Sequence, residues 1–161
     1  MARILFFGEA GIYDSRLIML KINIPEIKEI VVVTQSDQAY TAFLDKGPFD
    51  LVVISIEMPS STKVRSCFNG NMFDLAAGLV VAEKFINYDN RVKILFFSTD
   101  ALRMFGVNLE TNYPWLVKYP VISATVRIED FSAEVRFALG LCQRPSNPIS
   151  YTSRSLIRRP M

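Results

Sequence analysis

Side chains able to do chemistry are sparse in this sequence, and the commonest of them is missing. None of the 161 residues is a histidine. That removes the usual general base, the usual transition-metal ligand and any catalytic triad built on imidazole. The two cysteines, Cys67 and Cys142, stand far apart and neither has a Cys-x-x-Cys partner, so both are expected to be free thiols. What remains is a small set of carboxylates, hydroxyls and one lysine, each beside a short apolar run: Gly8-Glu9, Ser55 with Glu57, Ser98 with Asp100, and Lys118. Carboxylates gathered at one point hold a hard divalent cation. A serine becomes a nucleophile only beside a base, so a hydrolase built on Ser55 is not expected. Gly8-Glu9-Ala10-Gly11 is a poor match to GxGxxG. No nucleotide is implied, and no other cofactor either.

Whether these residues meet depends on the elements that carry them. Residues 3–7 form an almost continuous apolar run closed by Gly8, as do 29–34, 51–56 and 92–97, and each reads as a strand. Runs of this kind, apolar on both faces, suit a parallel sheet covered by helices on each side. Between them lie helical stretches. One is capped by Asp14 or Ser15 and stopped before Pro25. Another begins at Ser36 and ends at Gly47-Pro48. A third, from about residue 72 or 74 to 88, puts Leu75, Leu79, Ala82 and Ile86 on one stripe. A short helix is predicted over 100–105, a fifth strand over 115–118 and a last helix over 129–141. Strands joined by helical crossovers wind right-handed. The expected fold is therefore α/β: a five-stranded parallel, doubly wound sheet of flavodoxin-like order 2-1-3-4-5. In such sheets function sits at the carboxyl ends of the strands, where Gly8, Glu9, Ser55, Glu57, Ser98, Asp100 and Lys118 are expected to converge.

Length and composition agree with one domain. Half of the residues are apolar and 21% are charged, a balance that supports a buried core. No apolar run approaches the roughly 20 residues that span a bilayer, and the start of the chain is too short in apolar residues for a signal peptide. A cytoplasmic protein without a membrane partner is expected. Arg144, Arg154, Arg158 and Arg159 stand among residues 143–161 with no acid, leaving a faintly acidic body of 14 basic and 16 acidic residues. The division expected is a domain at 1–142 and a basic, flexible tail at 143–161. A body of that sign does not predict direct nucleic-acid binding, although the tail is able to meet phosphates or an acidic partner.

Taken in order, these segments resemble the receiver domain of bacterial two-component response regulators (CheY-like). Residues 49–59, Phe-Asp-Leu-Val-Val-Ile-Ser-Ile-Glu-Met-Pro, look like that family's third strand with its following Met-Pro. Ala-Arg-Ile-Leu-Phe-Phe-Gly-Glu looks like the first strand with its acidic pair, Lys-Ile-Leu-Phe-Phe-Ser-Thr like the fourth, and Trp-Leu-Val-Lys like the fifth with its lysine. The likeness extends over about residues 2–142 and implies a role in signal transduction or transcriptional control. It also implies a site, and here the sequence departs from the family. The phosphoacceptor aspartate corresponds to Ser55, and the acidic pair that helps to hold Mg²⁺ corresponds to Gly8 and Glu9. The strand-four hydroxyl matches Ser98 and the lysine matches Lys118.

Loss of two carboxylates leaves Glu9, with Glu57 and Asp100, as a weak residual cation site. Otherwise Lys118 pairs with Glu9 or hydrogen-bonds Ser55 and Ser98. The reading that follows is a degenerate, phosphorylation-independent receiver-like module, not an enzyme, that works by binding another regulatory protein. The resemblance also points to a surface made by helix four, strand five and helix five. There Leu102, Phe105, Trp115, Phe137 and Leu141 widen the apolar arc and suit a partner or a homodimer. Trp115 is either an interface anchor or a partly buried core residue. Residues 60–71, with Lys63, Arg65, Cys67 and the turn signal Asn69-Gly70, form a lid over the old pocket or a ligand loop. The alternative function is a flavodoxin-like small-ligand-binding domain, its ligand at the strand carboxyl ends. No output domain is recognisable in these residues, so any transcriptional effect is expected to pass through another chain or through a segment outside these residues.

Overall fold

The continuous apolar strands sort their side chains, residue by residue, into two cores. The computed structural model describes residues 1–58, 76–99, 104, 106, 108–142 and 157–158. In it, β1 (Ala2–Phe7), β3 (Leu51–Ser55) and β4 (Ile94–Ser98) form the centre of the sheet and are buried along nearly their whole length. Successive strand residues point to opposite faces. Accordingly Leu5, Phe7, Val52, Ile54 and Phe96 enter one core, while Ile4, Phe6, Val53, Leu95 and Phe97 enter the other. The first core is closed by α2 (Ser36–Lys46) and α3 (Ala77–Tyr88), the second by α1 (Ala10–Asn23) and α5 (Ile128–Ala138).

Strand order is β2-β1-β3-β4-β5, with β2 at Ile27–Val33 and β5 at Val121–Ser123, all parallel. The expected α/β doubly wound sheet is what the chain forms. A sixth strand, β6 (Ile157–Arg158), extends it by pairing antiparallel with β5. Two residues of the segment expected to be a flexible tail are thus in the sheet. The remainder of that segment, the 60–71 segment, Leu102 and Phe105 lie outside the described residues.

Three elements differ from the sequence reading. α1 begins at Ala10, with Glu9 and not Asp14 or Ser15 at its N-cap. The stretch expected as strand five is a 3-10 helix, Pro114–Lys118, and the strand itself follows at Val121–Ser123. Pro114 sits where a helical turn begins and its fixed φ favours that turn; a four-residue apolar run does not distinguish strand from helix. A short α4, Leu109–Asn112, was not foreseen. Its N-cap is Asn108, whose side chain accepts from the Thr111 N–H at 3.2 Å. No helix among the described residues is long and apolar enough to cross a membrane.

Candidate functional site

The carboxyl ends of β1, β3, β4 and β5 bring together Gly8, Ser55, Ser98 and Ser123. Each of these closes or immediately follows an apolar strand, so the sheet sets their positions. Gly8 is buried and donates its N–H to the Val33 carbonyl at 3.2 Å, which ties β1 to the end of β2. Ser55 and Ser98 are almost fully buried, at 4% and 3% exposure. Register places Ser55 opposite Phe97, and Ser98 opposite Ser123. The Ile56 N–H reaches the Phe97 carbonyl at 2.8 Å and the Ala124 N–H reaches the Ser98 carbonyl at 2.8 Å, so the strand ends are laced together. Ser123 closes on its own turn, its hydroxyl 2.8 Å from that of Thr125 and 3.2 Å from the Thr125 N–H.

Glu57 is the charged group at this end of the sheet that the geometry engages. Its Oε1 accepts from the Ser98 hydroxyl at 2.6 Å and from the Thr99 N–H at 3.0 Å. Burial raises the Glu57 carboxyl above its ordinary value, and the bonds from Ser98 and Thr99, which favour the ionised form, offset this only in part. Oε1 is thus committed to two protein donors. Glu9, by contrast, is exposed at the N-cap of α1 and makes no side-chain capping bond. Asp100, the third member of the expected residual cation site, lies outside the described residues. Among those described, no group of three or more His, Cys, Asp or Glu side chains is placed to hold a metal.

Lys118 does not belong to this site. It is exposed at the end of the 3-10 helix, three residues before β5 begins, and therefore precedes the amino end of the strand whose carboxyl end it was expected to occupy. The physical reason is the change of element: a strand at 115–118 would have carried Lys118 to the site, whereas the helical turn places it before the sheet. Strand five itself reads Val-Ile-Ser and holds no lysine.

Trp115 also moves with that turn. It is half-buried, donates Nε1–H to Glu83 Oε2 at 2.9 Å, and packs among the rings of Phe96, Tyr113 and Tyr119 with centroids about 6 Å away. It is thus a partly buried residue packed against the first core. Phe137 is half-buried on α5, and Leu141, just beyond that helix, is 39% exposed.

Sequence reasoning passed over Gly78. The first turn of α3 rests against the end of β3: Ala77 N–H meets the Met58 carbonyl at 2.9 Å and Gly78 N–H the Ile56 carbonyl at 3.3 Å. A Cβ at Gly78 would lie 2.0 Å from the Ser55 carbonyl oxygen. The glycine is what allows a helix to come down on the Ser55 position. The signal was present in the sequence as Ala76-Ala77-Gly78, a run of small residues inside an otherwise bulky helical pattern.

A cavity of about 570 Å³ lies elsewhere, lined by Phe43, Pro48, Phe49, Tyr88, Asp89 and Lys93 among others. These residues precede β3 and β4 or end their neighbouring helices, which sets the cavity at the amino ends of the strands, opposite the site just described.

Compared by sequence, the chain matches no described family and no curated protein. Compared by structure, it is similar to response-regulator receiver domains. Response regulator TrrA from Thermotoga maritima, in complex with Mg²⁺ and BeF, is 20% identical at a TM-score of 0.57, over 86% of this chain and 99% of that one. A CheY-like receiver domain protein from Methanospirillum hungatei is 17% identical at 0.58, over 87% and 94%. A two-component transcriptional regulator AraC from Clostridium phytofermentans is 12% identical at 0.60, over 88% and 94%. An adenylate cyclase from Rhodopirellula baltica is similar to the same degree, 15% identical at 0.57 over 87% and 88%. At these identities the likeness establishes the fold: the chain has the receiver-like, flavodoxin-order α/β architecture.

Proposed function

We propose that this chain is a phosphorylation-independent receiver-like module that regulates signal transduction or transcription in the cytoplasm by binding another protein. One observation carries the reading. At the strand ends where receivers place an aspartate and a lysine, this chain has Ser55 on β3 and, on β5, only Val121, Ile122 and Ser123. An acyl phosphate needs a carboxylate to form on, a cation to draw the phosphoryl group in, and a balancing positive charge. Ser55 supplies no carboxylate and has no histidine to activate it. Glu57 is held by Ser98 and Thr99, and Lys118 lies before the strand.

A module without a covalent mark passes information through its surface. Thermotoga maritima TrrA has been solved in complex with histidine kinase ThkA, so this architecture is one that binds regulatory proteins. On this chain the apolar positions Phe137, in the last turn of α5, and Leu141, just beyond it, are suited to such a contact or to a homodimer. Incubation of the intact protein with acetyl phosphate and Mg²⁺, followed by mass measurement, tests the central point. The mass is expected to stay unchanged while a conventional receiver treated in parallel gains a phosphoryl group. A stable, Mg²⁺-dependent phosphoryl adduct would overturn the proposal.

A further inference from the structure

The outer edge of β5 carries a feature that neither the strand-end site nor the receiver resemblance calls for. β5 is three residues long, and an edge strand left open exposes backbone N–H and C=O groups that pair readily with another chain. Here that edge is covered by the chain itself: Val121 lies opposite Arg158 and Ile122 opposite Ile157, in antiparallel register. The cover is only two residues long. It is joined to the exposed Cys142, beyond α5, through fourteen residues, 143–156, which can span at most about 50 Å. A two-residue strand is held only weakly by its own pairing.

We propose that the outer edge of β5 is a strand-acceptor site, occupied in cis by Ile157–Arg158 and open to the same segment of a second copy of this chain. The occupant follows from the register, because the 157–158 segment is the sequence seen to pair with this edge, and a second copy presents an identical one. Within one molecule the tether supplies the strand at an effective concentration of about millimolar. The cis arrangement therefore prevails in dilute protein, and exchange between copies appears as concentration approaches that value or when the resident strand is displaced. Such an exchange is two-fold and self-limiting, each copy giving one strand and receiving one. It does not depend on the absence of phosphate chemistry at Ser55.

Two experiments on the full chain test this. In the first, a peptide of residues 152–161 is titrated into the intact protein and into Ile157→Pro, which removes a strand N–H and disfavours the resident pairing. The amides of Val121, Ile122 and Ser123 are followed by NMR. The peptide is expected to shift them in Ile157→Pro at a concentration at least ten-fold lower than in the intact chain, where the resident strand competes. Equal shifts in both, or none in either, would overturn the acceptor site.

The second experiment does not depend on the proline variant folding. Val121→Cys and Arg158→Cys are combined in a Cys67→Ser, Cys142→Ser background. Opposite positions of an antiparallel pair lie within disulfide reach. Oxidation well below about a millimolar is expected to give an intramolecular disulfide and a monomer, and oxidation near about a millimolar a dimer linked 121 to 158 between copies. Absence of that disulfide overturns the cis pairing, and monomer alone at both concentrations overturns the exchange.

Discussion

For single side chains, the decisive quantity at the strand ends is the proton on Glu57. Burial lifts its carboxyl above the ordinary value of 4.5, against the pull of Ser98 and Thr99. Between those two values the folded chain binds more protons than the unfolded one. Stability contributed by this group is therefore present at low pH and is lost as pH rises through the raised folded value. Glu57→Gln keeps an oxygen for the Ser98 hydroxyl and Thr99 N–H but cannot ionise. It is expected to match or exceed the parent stability at pH 7, by about 1 kcal/mol, and to remove the decline above pH 4.5. Urea midpoints of both proteins across pH 4 to 8 measure this; an unchanged slope in the variant would show that Glu57 is not its source. This group was legible only in part. Ser55 stood out as the polar residue in an apolar run and Ser98 as the one that follows such a run, and in the structure they are the last residues of β3 and β4. Glu57 was marked merely as an acid near the site, since sequence carries no sign that Ser98, 41 positions away, donates to it. Lys118 was misplaced because Trp-Leu-Val-Lys has no period, while the true strand, Val-Ile-Ser, is too short to announce itself.

For whole elements, what matters is how closely α3 descends onto β3. Pairing and order were readable because several apolar runs such as Ile-Leu-Phe-Phe alternate with helical stretches, a repetition that suits strands covered on both sides and fixes the crossovers. Contacts between elements were not, since they depend on backbone distances that no local pattern encodes. Gly78 is the plainest case. Its missing side chain lets the helix start bond the Ile56 and Met58 carbonyls, and an added Cβ would meet the Ser55 carbonyl at 2.0 Å and the Ile56 Cα at 2.9 Å. Both neighbours are backbone at the carboxyl end of the central strand β3, where the sheet holds them. Gly78→Ala is therefore expected to cost about 3 kcal/mol, the upper range for overpacking, even though alanine is the better helix former. Chemical denaturation measures this directly. A neutral or stabilising result would mean that the helix can shift outward, and that Ser55 is less enclosed than its 4% exposure implies.

Across the whole molecule, the sheet divides the two cores and both are built on its strands. One contains Phe85 and Phe96 with Trp115 packed at its side; the other contains Phe97 and Phe131, whose rings meet edge-on at 4.8 Å. Phe96 and Phe97 are successive residues of β4 facing opposite ways, so neither core can loosen without moving the backbone that shapes the other. A domain built in this way should unfold in one transition. Trp115 is the sole tryptophan of the chain, so its fluorescence reports on the first core alone. Phe131→Ala empties space in the second core, where Phe131 is fully buried, and is expected to cost about 4 kcal/mol. If the sheet couples the cores, tryptophan fluorescence and far-ultraviolet circular dichroism will register that loss at the same denaturant midpoint, with an unchanged slope. A fluorescence midpoint that stays at the parent value while the dichroism midpoint falls would show two separately melting halves. The strand-end serines, which sit on the shared sheet between them, would then no longer be held by one rigid frame.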